Sequence, residues 1–283
     1  MNPNLKRMSI ALCVSALIVA GNSGLAGVSS NTVAANSKDT PLPLKIIHDS
    51  EAAYASLSSY SDTGKVLMEM NGRTLTTVFN IHLARSNLYR IEWEQTQLTA
   101  TTSMTSRGAA WSAGDGDFFL GAAGIQRMKS PELALASAAA VSSSASLTVP
   151  GLFFDIVDLS GLKQLTAMSA DLVQQQDATI GTVDCYVISG ERNQNGLKIA
   201  TTLWIGKKDY MIHKSKRVME HLEKTPIPEG LDVATKDMMQ KEMRRMQQEP
   251  VIYTETHENI SINNSLKKSD FIHEEPTGTG VSR

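Results

Sequence analysis

Cysteine is all but missing from this chain, and what there is cannot form an internal disulfide. Of the two, Cys13 and Cys185, the first lies inside the apolar run of an N-terminal export signal. Leu12 precedes it where a lipoprotein signal has a small residue, so Cys13 is expected to leave with the cleaved segment. That leaves Cys185 alone, in whatever redox compartment, and the fold has to be held by its core. Cys185 falls in a strand-like run, Val183 to Ser189, and reads as a small buried hydrophobe. Charge of one sign is missing too: 27 Lys and Arg against 29 Asp and Glu give a net charge of −2. With no long block of Lys and Arg, a nucleic-acid partner is excluded, because that affinity rests on a concentrated basic surface. Aromatics are scarce at 5%. Beyond the N-terminal segment no apolar run is long enough to span a bilayer as a helix.

Catalytic motifs are absent as well. Ser112 sits in Ala110-Trp111-Ser112-Ala113-Gly114, which lacks the first glycine of a hydrolase nucleophile elbow. His257-Glu258 has no second histidine at metalloprotease spacing, and His213 and His221 read as solvated or satisfied side chains. The expectation is a protein that is not an enzyme, with no cofactor and no metal ion.

An export signal is what the N-terminus does contain. Lys6 and Arg7 precede an uncharged run from Ile10 to Ala20, and Gly24-Leu25-Ala26 supplies small residues before a cut ahead of Gly27. Residues 1–26 are thus a cleaved signal peptide and 27–42 a small, polar tether. The expected compartment is the periplasm. Residues 43–276 form one domain, interrupted by a charged helical insertion at about 217–250, and 277–283 form a loose tail.

Alternation dominates the domain. Val66, Met68 and Met70, then Phe79, Ile81 and Leu83, then Tyr89, Ile91 and Trp93 fall on every second position, while charged and polar residues take the positions between. Pro43 opens a helix carrying Leu44, Ile47, Tyr54 and Leu57, with Gly64 beyond its end. Arg107-Gly108 and Gly114 to Asp117 read as turns. Ser130-Pro131-Glu132 opens a second helix, an Ala/Ser run to Ser146 that Pro150-Gly151 stops. Phe153 and Phe154 follow as bulky lid residues. Alternation returns after Gly181, with Glu191 to Gly196 as a hairpin connection, then Leu203 and Ile205, then Tyr210 and Ile212, and finally Val251 to Ile262. In the insertion, a helix over Asp232 to Gln248 places Met239, Met243 and Met246 on one face, with Met238 beside them. Such a stripe ordinarily packs a helix onto its domain. Thioethers can also hold Cu(I), and Met faces can dock partners.

The N-terminal helix ending in Leu57-Ser58-Ser59-Tyr60, the run Leu83-Ala84-Arg85-Ser86-Asn87-Leu88-Tyr89-Arg90, the triplet Asp184-Cys185-Tyr186 and the run Leu203 to Ile212 together resemble the LolA-like periplasmic lipoprotein-carrier superfamily. Within it, they are most similar to predicted periplasmic proteins of unknown function. The resemblance implies an α+β fold: a strongly curved, unclosed antiparallel sheet, a half-barrel, with helices capping an apolar concave face and leaving room for acyl chains. The expected ligand surface is Val66, Met68, Met70, Phe79, Ile81, Leu83, Tyr89, Ile91, Trp93, Phe153, Phe154, Leu203 and Ile205. Arg85 matches an arginine the family usually has, here a lid contact, although Ser86 follows it where the family commonly has proline. The expected partners are a lipid, an acyl chain or a lipoprotein cargo. The alternative is an envelope module with a filled core that docks a protein partner through the Met-rich insertion.

Overall fold

The computed structural model describes residues 42–98, 103–145, 148–156, 172–194, 197–221, 232–238, 241 and 249–274. The export signal and most of the insertion, with Met239, Met243 and Met246, lie outside these residues. So does the tail beyond 274.

The described strands form an unclosed antiparallel sheet in the order β6-β5-β4-β3-β2-β1-β11-β10-β9-β8-β7. The first half is a meander of β1 (Ser59–Met70), β2 (Arg73–Ala84), β3 (Leu88–Leu98), β4 (Ser103–Ser112), β5 (Asp117–Gly121) and β6 (Gly124–Met128). The second comprises β7 (Val173–Ile180), β8 (Val183–Gln194), β9 (Leu197–Gly206), β10 (Ile212–His221) and β11 (Val251–Ile262). They join where β1 pairs with β11. Three helices, α1 (Pro43–Ser56), α2 (Pro131–Val141) and α3 (Thr148–Phe153), cover the inner face. This is the unclosed half-barrel that the resemblance implies, built from the strands that the alternation marks.

Turn chemistry explains how the first meander closes. Asn71 and Gly72 both have positive φ, the backbone of the tight hairpin whose twist matches its strands. Ser86 and Asn87 do the same between β2 and β3, at φ 67 and 58. Proline is locked near −65°, so this turn cannot hold one at 86, which accounts for the serine there. α1 and α2 begin as expected, with Pro43 and Pro131 in their first turns. The Ser130 hydroxyl accepts from the Leu133 amide at 3.3 Å.

Several boundaries differ from expectation. Gly64 lies in mid-strand, not past a helix end, because α1 stops at Ser56. Its row runs Gly108, Trp93, Phe79, Gly64, His257 across five strands. A Cβ on Gly64 would be driven into the Thr256 carbonyl oxygen and the Phe79 ring. Gly108 is likewise no turn: β4 runs straight through it, and the missing side chain makes room for the Trp93 indole. Pro150 does not stop a helix but sits inside α3, early enough that no intrahelical N–H is needed there. β8 extends to Gln194 and β10 to His221, so the expected hairpin connection and insertion both begin later than read.

Candidate functional site: the concave face

Burial along the strands is polarised. β4 is exposed through its first five residues and buried through its last five. β2 likewise passes from exposed Arg73 and Thr74 to buried Phe79, Ile81 and Leu83. One end of the half-barrel is therefore closed and packed, and the other is part-open.

At the closed end Phe79, Ile81, Leu83, Tyr89, Ile91, Trp93, Phe153, Leu203 and Ile205 belong to one core cluster with α1, α2 and α3, and Val66 joins them. Trp93 is only 5% exposed and packs near Phe119, with ring centroids 6.2 Å apart. The residues expected to line a ligand surface here fill the interior instead of facing a void. Phe154 is half-buried and, with Asn87, Pro131, Glu132 and Ile156, lines a hollow of about 130 Å³ at the rim.

The open end differs. Met104, Gln97, Leu75, Met68, Tyr253, Arg217 and Thr201 form one inward row across seven strands. Met68, Leu75 and Tyr253 are only part-buried, and Met104 is 49% exposed. Met70 lies further toward the opening and is also part-exposed. Flexible thioethers on a concave, half-covered surface adapt to irregular apolar shapes.

Arg85 holds the lid. Its Nε donates to the Leu57 carbonyl at 2.8 Å and Nη1 to that of Phe153 at 2.6 Å. Nη2 donates to the carbonyls of Tyr54 and Ala55 at 2.8 and 2.7 Å. The guanidinium carbon also stands 4.3 Å from the Phe153 ring centroid. One side chain at the end of β2 thus caps the carbonyls at the ends of two helices, where a cation is favoured. The lid contact expected of Arg85 is present. Arg85→Leu is expected to cost about 2 kcal/mol, since hydrogen bonds to a charged group are among the stronger ones. Hydrogen exchange read by mass spectrometry should then speed up in residues 52–57 and 150–156, with β2 and β3 unchanged. Equal protection in variant and wild type would remove the latch.

Beneath the lid lies a polar cluster that the sequence reading missed. Asp62 Oδ2 accepts from the Tyr60 hydroxyl at 2.7 Å and contacts His257 Nδ1 at 2.6 Å. His257 Nε2 lies 3.4 Å from Glu255 Oε1. Glu255 Oε2 accepts from Thr148 at 2.6 Å and Ser215 at 3.1 Å. All three ionisable groups are at most 3% exposed. Burial alone would push His257 down, but the charge and hydrogen bond of Asp62 prevail and hold it up to about 10. Burial raises Glu255, yet the His257 imidazolium outweighs it and keeps the carboxylate below its ordinary value. His257 and Glu255 thus favour each other's charged form, and Thr148 ties α3 to the cluster. Nearby, Gln95 donates to Thr77 at 3.2 Å and to Ser143 at 2.9 Å. The Ser/Thr-rich connection of the lid thus meets a polar band of the sheet. Alternation in β11 could have exposed it, since Val251, Tyr253, Glu255 and His257 share a parity.

Among the described residues no group of His, Cys, Asp and Glu has the arrangement of a metal centre, and no helix is long and apolar enough to cross a membrane. Cys185 is buried, as expected, and burial first of all pushes its thiol up to about 11. His213 pairs with Asp209 at 3.1 Å, a satisfied histidine.

No protein-family profile matches the sequence, and no curated protein does. Among solved structures the chain is similar to LprF from Mycobacterium bovis, at 10% identity and TM-score 0.43, over 80% of this chain and 94% of that one. It is similar to a DUF1329 family protein from Desulfovibrio piger, at 11% identity and TM-score 0.33, over 82% and 96%. The third is the MucA/MucB complex of Pseudomonas aeruginosa, where the match has 8% identity and TM-score 0.39, over 82% and 61%.

Proposed function

We propose that this is a LolA-like, exported binding protein that takes up lipid or lipidated cargo without catalysis, acting in the periplasm as a carrier or sensor. The observation that supports this most is the split concave face. The closed end is sealed by helices and latched by Arg85, while Met68, Met70, Leu75 and Met104 stay part-exposed on the same inward side. An acyl chain laid along that open half gains about 0.8 kcal/mol per buried CH₂. Lifting α3 off Glu255 and Arg85 lengthens the apolar groove toward Val66 and Phe79.

The test is native mass spectrometry of the mature protein purified without detergent, followed by lipid extraction, in wild type and in Met68→Glu. This position is part-exposed, so the charge perturbs the surface more than the core, unlike a charge at Trp93. Wild type is expected to carry stoichiometric acyl-chain species. Met68→Glu should lose at least tenfold in occupancy, since a charge set in the groove opposes the burial of several methylenes. A clean apo mass that stays unchanged on adding phospholipid or lipopeptide would overturn the reading. The function would then pass to a protein-docking module, for which Val233 and Met238 offer exposed apolar side chains.

A further inference from the structure

Two arginines share the open half of the concave face. Arg217 stands in the Met68–Tyr253 row, its guanidinium 5.4 Å from the Tyr253 ring centroid. Arg192 lies in the next row out, opposite Ile199, which in turn pairs with Met219. Period two puts both on the inward side. Both are half-buried.

Their pairing is what sets them apart. Charges nearby are matched: Lys198 with Glu191 on the outer face of β9 and β8 at 3.0 Å, and Lys207, just past β9, with Asp177 of β7 at 2.7 Å. Among the described residues neither Arg192 nor Arg217 has a carboxylate at ion-pair distance. The charge of Arg217 reaches Glu255, but that carboxylate is already engaged by His257, Thr148 and Ser215. Arg192 is held below the usual guanidinium range first by burial and then by the positive charge of Arg217. Two like charges, partly withdrawn from water and without a counter-ion among the described residues, form a preorganised receptor for an anion, and the planar fork of arginine suits an oxyanion.

We propose that Arg192 and Arg217 bind the phosphate-class anionic head group of an amphiphile whose chain lies against Met68 and Leu75. This rests on the carrier reading above and narrows its cargo to anionic amphiphiles.

The probes are palmitoyl-lysophosphatidylglycerol, monopalmitoylglycerol, which has the same chain without phosphate, and inorganic phosphate, each titrated calorimetrically into the mature protein. Wild type is expected to bind the phosphorylated amphiphile about tenfold tighter than the neutral one, as hydrogen bonds to charged groups require. Arg192→Gln with Arg217→Gln should abolish that preference while leaving monopalmitoylglycerol binding intact, which also reports an intact fold. The double lysine variant should keep part of the preference. Equal wild-type affinity for the two amphiphiles would overturn the anion site and leave the carrier reading standing. Binding of neither would overturn the carrier reading and this proposal with it. Arginine-dependent binding of inorganic phosphate as tight as that of the amphiphile would assign the site to a free anion and overturn the amphiphile as its source.

Discussion

Replacing His257 by alanine is expected to lower the free energy of unfolding by about 3–5 kcal/mol, because it strands two buried carboxylates without their counter-charge. Asp62 and Glu255 are each at most 2% exposed and lie on either side of the imidazole. The pH dependence of wild type carries the same signature. His257 is raised from 6.5 to about 10 on folding, so its contribution is complete below pH 6.5, shrinks as pH rises and is gone above about 10. Glu255 is lowered from 4.5, so its contribution is complete above pH 4.5 and is lost as pH falls further. Urea unfolding across pH should therefore show greatest stability between 4.5 and 6.5, with an alkaline decline that His257→Ala abolishes. A variant that unfolds within 1 kcal/mol of wild type and keeps the alkaline decline would show that the imidazole is uncharged in the fold.

Gly64→Val is expected to prevent β1 from pairing normally with β11. The new side chain would meet the Thr256 carbonyl oxygen, a backbone atom of the neighbouring strand, and the Phe79 ring. Phe79 cannot move away easily, since it is buried and packs edge-on against His257 at 5.6 Å. Overpacking a filled core costs about 1–3 kcal/mol, and more where backbone has to shift. The loss should reach at least about 3 kcal/mol, with loss of amide protection along both strands. Gly72→Ala is the control: nothing lies within 4 Å of a Cβ there, and only its φ of 67° is strained, at about 1 kcal/mol. Equal loss at the two glycines would refute a steric role for Gly64.

How much of this was legible depended on what each residue's neighbours supply. Phe79 to Leu83 and Tyr89 to Trp93 were readable because their strands are wet on one face and packed on the other, the condition under which period two appears. β7, Val-Gln-Gln-Gln-Asp-Ala-Thr-Ile, is a sheet edge with polar residues on both faces, so it leaves no alternation to read. β5 and β6 are too short to establish a period. Gly64 and Gly108 misled for a shared reason: a glycine's sequence signature is the same whether it frees the backbone for a turn or makes way for an aromatic ring. Of the candidate surface, the alternation placed its residues on the inward face of the sheet, and the resemblance singled out Arg85. It could not divide that face into a packed half and an open half, because the division depends on where α1, α2 and α3 end. Asp62, Glu255 and His257 were invisible as a unit because no local spacing relates Asp62 to a partner 195 positions away.

That separation also governs how the molecule is made. In the finished sheet β1 has β2 on one side and β11 on the other. During folding the first meander can complete its local hairpins early, while the second edge of β1 waits for β11, the last of the described strands. Closing so large a loop is slow, and until it closes, the nascent protein presents an unpaired strand edge beside Val66 and Met68, the kind of template on which chains associate wrongly. Lys65 and Glu69 lie on that edge, outside the core, and their charges deter a neighbouring chain from docking before β11 arrives.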